Sequence, residues 1–213
     1  MAINLTKGQT IDLRKDANDL DQITVGLGWK TKEKKQGMLG ALFGKKDDVE
    51  FDLDAIAFII DDQGKIRNLG NEKLGLVGSD VVFYNNLKHP SGLVYHTGDE
   101  RKGGTGAQDD EQIVVKLNSL PSQYARILFL VAIYQGNQRK QHFGQVSDAY
   151  IRAVDGKGKE MARYPLSSEA AYVGNSSMVF GEVYRRDGGW KFRAIGEAHH
   201  HDSFIPLLKK YIS

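Results

Sequence analysis

Two short stretches hold the side chains best suited to chemistry. In FDLDA (51–55), Asp52 and Asp54 are two positions apart; in HTGDERKGGTGAQDDEQ (96–112), Asp99, Glu100, Asp109, Asp110 and Glu111 crowd around a glycine-rich centre. Residues two apart on a strand share a face, which sets Asp52 and Asp54 about 6.5 Å apart at ~3.3 Å per residue. At an effective dielectric of about 20 such a pair repels by roughly 2 kcal/mol. Loop acids brought close would add to that cost. Either water solvates these groups or a cation sits among them. Calcium suits the set best, because it accepts six to eight carboxylate, carbonyl and water oxygens in flexible geometry. Gly98, Gly103, Gly104 and Gly106 give the loop freedom to turn carbonyls inward. Magnesium demands tighter octahedral geometry, and zinc prefers nitrogen or sulfur. Two readings stay open on the residues alone: a calcium site shared by strand and loop, or an acidic turn wetted by solvent.

Familiar motifs do not account for the pattern. An EF-hand beginning at Asp52 would need an acid or amide at 56 and glycine at 57, where the chain has Ile56 and Ala57. GGTGAQDD is no phosphate-gripping loop, since its glycines lead into acids rather than into Gly-Lys-Ser/Thr. GNSSM (174–178) lacks the pattern of a nucleophile elbow, and His89, His96 and His142 have no partner assignable from sequence. His199, His200 and His201 invite a transition-metal reading, but adjacent histidines on one segment rarely face a single point.

The elements that must position these residues are strands. Short runs rich in Val, Ile and Phe alternate with turn residues, and the 213-residue chain carries 24 glycines, a pattern of sandwiches and barrels. Strands are expected at 23–29, 51–60, 80–85, 112–117, 126–134, 148–155, 176–186 and 189–197. Hairpins are expected around DDQG and RRDGG, and helices at 139–147 and 203–212. In the 51–60 strand, Phe51, Leu53, Ala55 and Ala57 face one core while Ile56, Phe58 and Ile60 continue the face that carries the two acids. Trp29 and Trp190 read as core residues, and Arg139, Lys140, Arg152, Arg185 and Arg186 as the exposed side of strands and helix. The expected architecture is all-β: a sandwich of two packed, mostly antiparallel sheets with a few short helices, forming one domain over 1–213.

Composition narrows the function class. The net charge is +2, so no nucleic-acid partner is expected, although the acids outside the two stretches number only 20 against 29 Lys and Arg. The absence of cysteine excludes disulfides, thiolate metal sites and cysteine nucleophiles, and fits a reducing compartment. The N-terminus lacks the apolar core of a signal peptide, and no apolar run approaches the ~20 residues of a membrane span. A soluble cytoplasmic protein is expected. The segment KTKEKKQGMLGALFGKKDD (30–48) reads as a solvated insertion covering a sheet edge. Its alternative role is to dock Met38, Leu39, Leu42 and Phe43 at an anionic membrane surface, which would place the protein at the inner face of the membrane.

The blocks FDLDAIAFIIDDQGKI, DVVFYNNLKHPSG, HTGDERKGGTGAQDDEQI, RKQHFGQVSDAYIR and MVFGEVYRRDGGWKFRAIGEA, in that order, resemble the bacterial TerD family of tellurite-resistance and stress-response proteins. INLTKGQTIDL and TVGLGW fit the same pattern. The likeness spans the chain apart from the 30–48 insertion and the C-terminal segment 198–213. It implies a β-sandwich that binds Ca2+ through the DLDA strand and the acidic loop. It also implies a non-enzymatic component that works with other stress and tellurite-resistance proteins, including an integral membrane partner. Asp52, Asp54, Asp99, Asp109, Asp110 and Glu111 match family acids, and Asn85 and Asn86 match paired asparagines of metal-adjacent or structural role. Glu100 stands where the family has asparagine, a residue is inserted near Lys102, and Ala107-Gln108 replace the usual Asp-Gly. That last change leaves one or two calcium ions as alternatives. With Glu100 and the Gly104 carbonyl added, the candidate ligands are Asp52, Asp54, Asp99, Glu100, Gly104, Asp109, Asp110 and Glu111. Three functions compete: a calcium-dependent binding module, a calcium-steered peripheral membrane module, and, least supported, a metal-dependent enzyme.

Overall fold

Alternating apolar residues along most strands bury one face of each of two sheets against the other. The computed structural model describes residues 3–13, 18–31, 51–98, 109–165 and 172–212. Its strands are β1 (Ile3–Asn4), β2 (Thr10–Leu13), β3 (Ile23–Thr31), β4 (Leu53–Asp61), β5 (Val81–Val82) and β6 (Val94–His96). They continue as β7 (Glu111–Val115), β8 (Tyr124–Ile133), β9 (Val146–Asp155), β10 (Glu160–Pro165), β11 (Ser177–Arg186) and β12 (Gly189–His199). One sheet has the order β1-β10-β9-β3-β7-β6 and the other β2-β12-β11-β8-β4-β5. Every pairing is antiparallel except β1 with β10. The all-β sandwich expected from the sequence is the observed fold.

The inter-sheet core contains Trp29, Phe51, Leu53, Ala55, Ala57, Ile59, Phe129, Phe180 and Trp190. Ile56, Phe58 and Ile60 point the other way into a second cluster with Leu128, Leu130, Leu207 and Leu208. β4 is therefore buried on both faces, as its sequence indicates, because the C-terminal segment folds over the outside of its sheet. That segment holds α2 (Ile205–Leu208), a single turn shorter than the expected 203–212 helix. It is fastened by Phe204 and Tyr211 packing edge-on to Phe58 and by Ile66 N–H donating to Tyr211 O at 2.8 Å.

Several expected elements are shorter than their sequence pattern. The 139–147 helix is replaced by α1 (Gly136–Arg139) and a separate 3-10 turn at Phe143–Gln145, because Lys140 adopts a left-handed φ of 55° and stops the helix. The 80–85 strand ends at Val82, where Asn86 curls the chain back with its amide on Val81 O and Ser79 O. The turn after β4 forms through Asp61, but the following residues join the C-terminal segment instead of making a second hairpin strand. The β11–β12 hairpin does form. Its Asp187-Gly188 turn has φ of 53° and 73°, the paired positive values that match strand twist. The 32–48 part of the basic insertion lies outside the described residues.

The site depends on one corner of the sandwich. β4 and β5 close one sheet, β6 and β7 close the other, and these two edges touch. All four outermost strands, β1, β2, β5 and β6, are two to four residues long. Replacing Leu208 by alanine should open the second cluster at a cost of about 3 kcal/mol. A thermal melt should then fall by roughly 6–12 °C.

Candidate functional site

Asp109, Asp110 and Glu111 are consecutive, yet their carboxylates go to three different places. Asp109 lies on the outer face of the β3–β9 sheet. Arg152 grips it in a fork, Nε to Oδ1 at 2.7 Å and Nη2 to Oδ2 at 3.0 Å, while Tyr150 OH and Gln112 Nε2 donate at 3.1 and 3.2 Å. A Cβ on Gly26 would overlap the Asp109 carboxylate, so glycine in TVGLGW makes the room this ion pair occupies. Asp110 accepts the backbone N–H of Trp29 at 2.9 Å, and the indole of the same tryptophan donates to Phe51 O at 3.3 Å. Trp29 thus ties Asp110 to the residue preceding Asp52.

Glu111 points inward between the sheets and is 1 % exposed. Its Oε2 accepts the N–H of Ala55 at 2.5 Å and lies 3.2 Å from His96 Nε2. Gly98 N–H donates to His96 Nδ1 at 3.1 Å, so Nδ1 is the acceptor and the Nε2 proton faces Glu111. One carboxylate from the end of the acidic stretch therefore meets the strand of Asp52 and Asp54, and its histidine partner holds the start of that stretch.

Asp54 shares the outward face of Ile56 and is buried to 7 % exposure. It borders a cleft of about 230 Å³ with Tyr84, Tyr134, Asp202 and Phe204. Asp52, half-buried, lies two residues earlier, and its carbonyl accepts Tyr134 N–H at 2.8 Å. Asp99, Glu100 and Gly104 lie outside the described residues. Among the described residues no three acids or histidines are placed to hold a metal ion. The all-oxygen donor set of Asp52, Asp54 and Asp110 suits a hard cation chemically. Asp109 and Glu111 fit that role poorly, since each already closes strong hydrogen bonds within the protein.

Other candidates make contacts within the fold. Asn86 satisfies Gly78 N–H as well as its two carbonyls. His199 and His201 stack with ring centres 5.2 Å apart, while His200 turns away to Gly174 O at 3.0 Å. Trp29 and Trp190 are buried as expected. The roles of Arg152, Tyr150 and His96 were not visible in the sequence. Gly26 and Gly28 of TVGLGW hinted at large groups packed against the strand, and Asp109 lies over the first and Tyr150 over the second.

The TerD domain profile matches residues 1–211. The chain belongs to the TerD family. Tellurium resistance protein TerX of Serratia marcescens is 49% identical over 215 residues, spanning 100% of both chains. Tellurium resistance protein TerD of the same organism is 40% identical over 93% of this chain and 92% of its own. General stress protein 16U of Bacillus subtilis (strain 168) is 36% identical over the same shares. A solved homologue of telluride resistance protein (TerD) from Streptomyces coelicolor A3(2) shares the fold, with a TM-score of 0.60 at 21% identity, over 87% of this chain and 94% of its own. This member of the TerD family accordingly belongs to a group of tellurium-resistance and stress-response proteins. None of the helices among its described residues is long and apolar enough to cross a membrane.

Truncating Glu111 to alanine strands Ala55 N–H and His96 in the core and should cost about 3 kcal/mol in chemical denaturation, with Glu111→Gln costing less. Nearby, Arg163 holds the Glu160 pKa below its usual 4.5 against the upward push of burial, and Arg152 helps. A depressed folded pKa stabilises the protein above that usual value, and the contribution is lost as pH falls below it. Glu160→Gln should therefore flatten the loss of stability between pH of about 4.5 and lower values, measured by denaturant titration across pH.

Proposed function

We propose that this TerD-family protein is a calcium-binding, non-enzymatic module of a bacterial tellurite-resistance and general stress response, acting in the cytoplasm through protein partners at the membrane. The contact between Glu111 and Ala55 N–H carries the reading, because it draws the end of the acidic stretch against the strand of Asp52 and Asp54. Asp52, Asp54 and Asp110 would supply ligands together with Asp99, Glu100 and the Gly104 carbonyl. Bound calcium would neutralise carboxylates that otherwise repel one another at this corner. Asp109 and Glu111 serve instead as anchors, one on each side of Asp110. The names of the relatives support the stress-response context. Other tellurite-resistance and stress proteins, with an integral membrane protein among them, are the partners this role calls for.

Isothermal titration with calcium tests the reading. The wild type should give saturable heat, and Asp52→Ala should abolish it. At a hundredfold excess over Kd, calcium should stabilise the fold by about 2.7 kcal/mol. An absence of heat together with a melt indifferent to calcium and chelator would end the proposal.

A further inference from the structure

Away from the acidic corner, the turn between Lys88 and Tyr95 brings together three residues with the chemistry of an activated hydroxyl. His89 is 1 % exposed, and its Nε2 lies 3.0 Å from Asp80 Oδ1. Asp80 is itself buried and fixed through its other oxygen by the N–H groups of Asn68 and Arg67 at 2.9 and 3.3 Å. On the far side of the ring, Ser91 Oγ stands 2.7 Å from His89 Nδ1. The backbone N–H of Ser91 also donates to Nδ1, at 3.1 Å, which fixes that nitrogen as the acceptor. The imidazole proton therefore sits on Nε2 facing Asp80, and the serine hydroxyl proton points at Nδ1. One lone pair of Oγ accepts Leu93 N–H at 3.2 Å, and the residue is exposed to solvent.

We propose that Ser91 is a covalent modification site, an acyl acceptor activated by His89 and oriented by Asp80. In the step, Oγ attacks the carbonyl carbon of an activated ester while its proton passes to His89 Nδ1. The bond from that carbon to the leaving oxygen breaks, and the imidazolium, stabilised by Asp80, returns the proton to the departing alkoxide or phenolate. The products are an O-acyl serine, the free alcohol and neutral His89. Turnover does not follow. The N–H groups closest in sequence, those of Ser91, Gly92 and Leu93, are already committed to His89 Nδ1, His89 O and Ser91 Oγ. With those three N–H groups taken, the turn forms no oxyanion hole of backbone donors for a hydrolytic step, so the acyl group stays. The site is thus a stoichiometric acceptor, independent of the calcium reading.

The test uses the intact protein with p-nitrophenyl acetate, following p-nitrophenolate release and mapping acetyl groups by peptide mass spectrometry. Ser91 should take up one acetyl about a hundredfold faster than the exposed Ser122, the gain expected of a positioned general base. Ser91→Ala should remove that adduct and its one-equivalent burst, and His89→Gln should slow it to the Ser122 rate. If the His89 variant fails to fold, the wild-type pH profile decides in its place. A labelling rate that rises with pH and then levels off supports the base. A rate that climbs with hydroxide without levelling, or labelling of Ser91 no faster than Ser122, overturns the proposal.

Discussion

The architecture of this corner rests on a buried carboxylate. Glu111 extends from β7 of one sheet to the backbone of β4 in the other. A carboxylate removed from water is costly unless its oxygens are hydrogen-bonded. Here the cost is offset by an edge N–H of β4 and by the imidazole of His96, both buried with it. In a low-dielectric setting such bonds strengthen, and the loss of any member leaves the others unsatisfied. The two sheets are thereby locked in one relative position at this edge, where apolar packing alone would leave them freer to slide.

That lock organises what surrounds it. Because His96 receives the N–H of Gly98 while binding Glu111, both ends of the acidic stretch are fastened to one pair of side chains. Asp109 adds a second fastening on the outer face through Arg152, in the space left by Gly26. Along the same edge Asp80 and His89 form a comparable buried pair joining the residue before β5 to the turn before β6. A carboxylate–histidine contact thus occurs twice where the sandwich closes, once beside the acids and once beneath an exposed serine.

Much of this was legible in the chain, and the parts that were not share a cause. Short Val-, Ile- and Phe-rich runs between turn residues identified β3, β4, β7, β8, β9, β11 and β12, and the two-sided apolar pattern of β4 correctly implied a cover on its outer face. The Asp-Gly turn between Arg186 and Gly189 was equally plain. Short edge strands such as β1, β2 and β6 carry too few residues to show a period. The proximity of the DLDA strand to the acidic stretch could be suspected from charge. The separate fates of Asp109, Asp110 and Glu111 could not, since they depend on Arg152, Trp29 and His96, which are distant in sequence or read as ordinary surface and core. Local pattern records which face a residue takes, whereas tertiary partners decide what its charge is used for.

The brevity of the outermost strands limits how this protein can be recognised. Partners that extend a sheet need a run of unpaired backbone N–H and C=O groups to copy. Among the described residues, β1, β2, β5 and β6 offer only two to four residues each. A docking protein therefore gains little from adding a strand of its own and must read side chains and turns. The same brevity protects copies of this chain from joining edge to edge at high concentration.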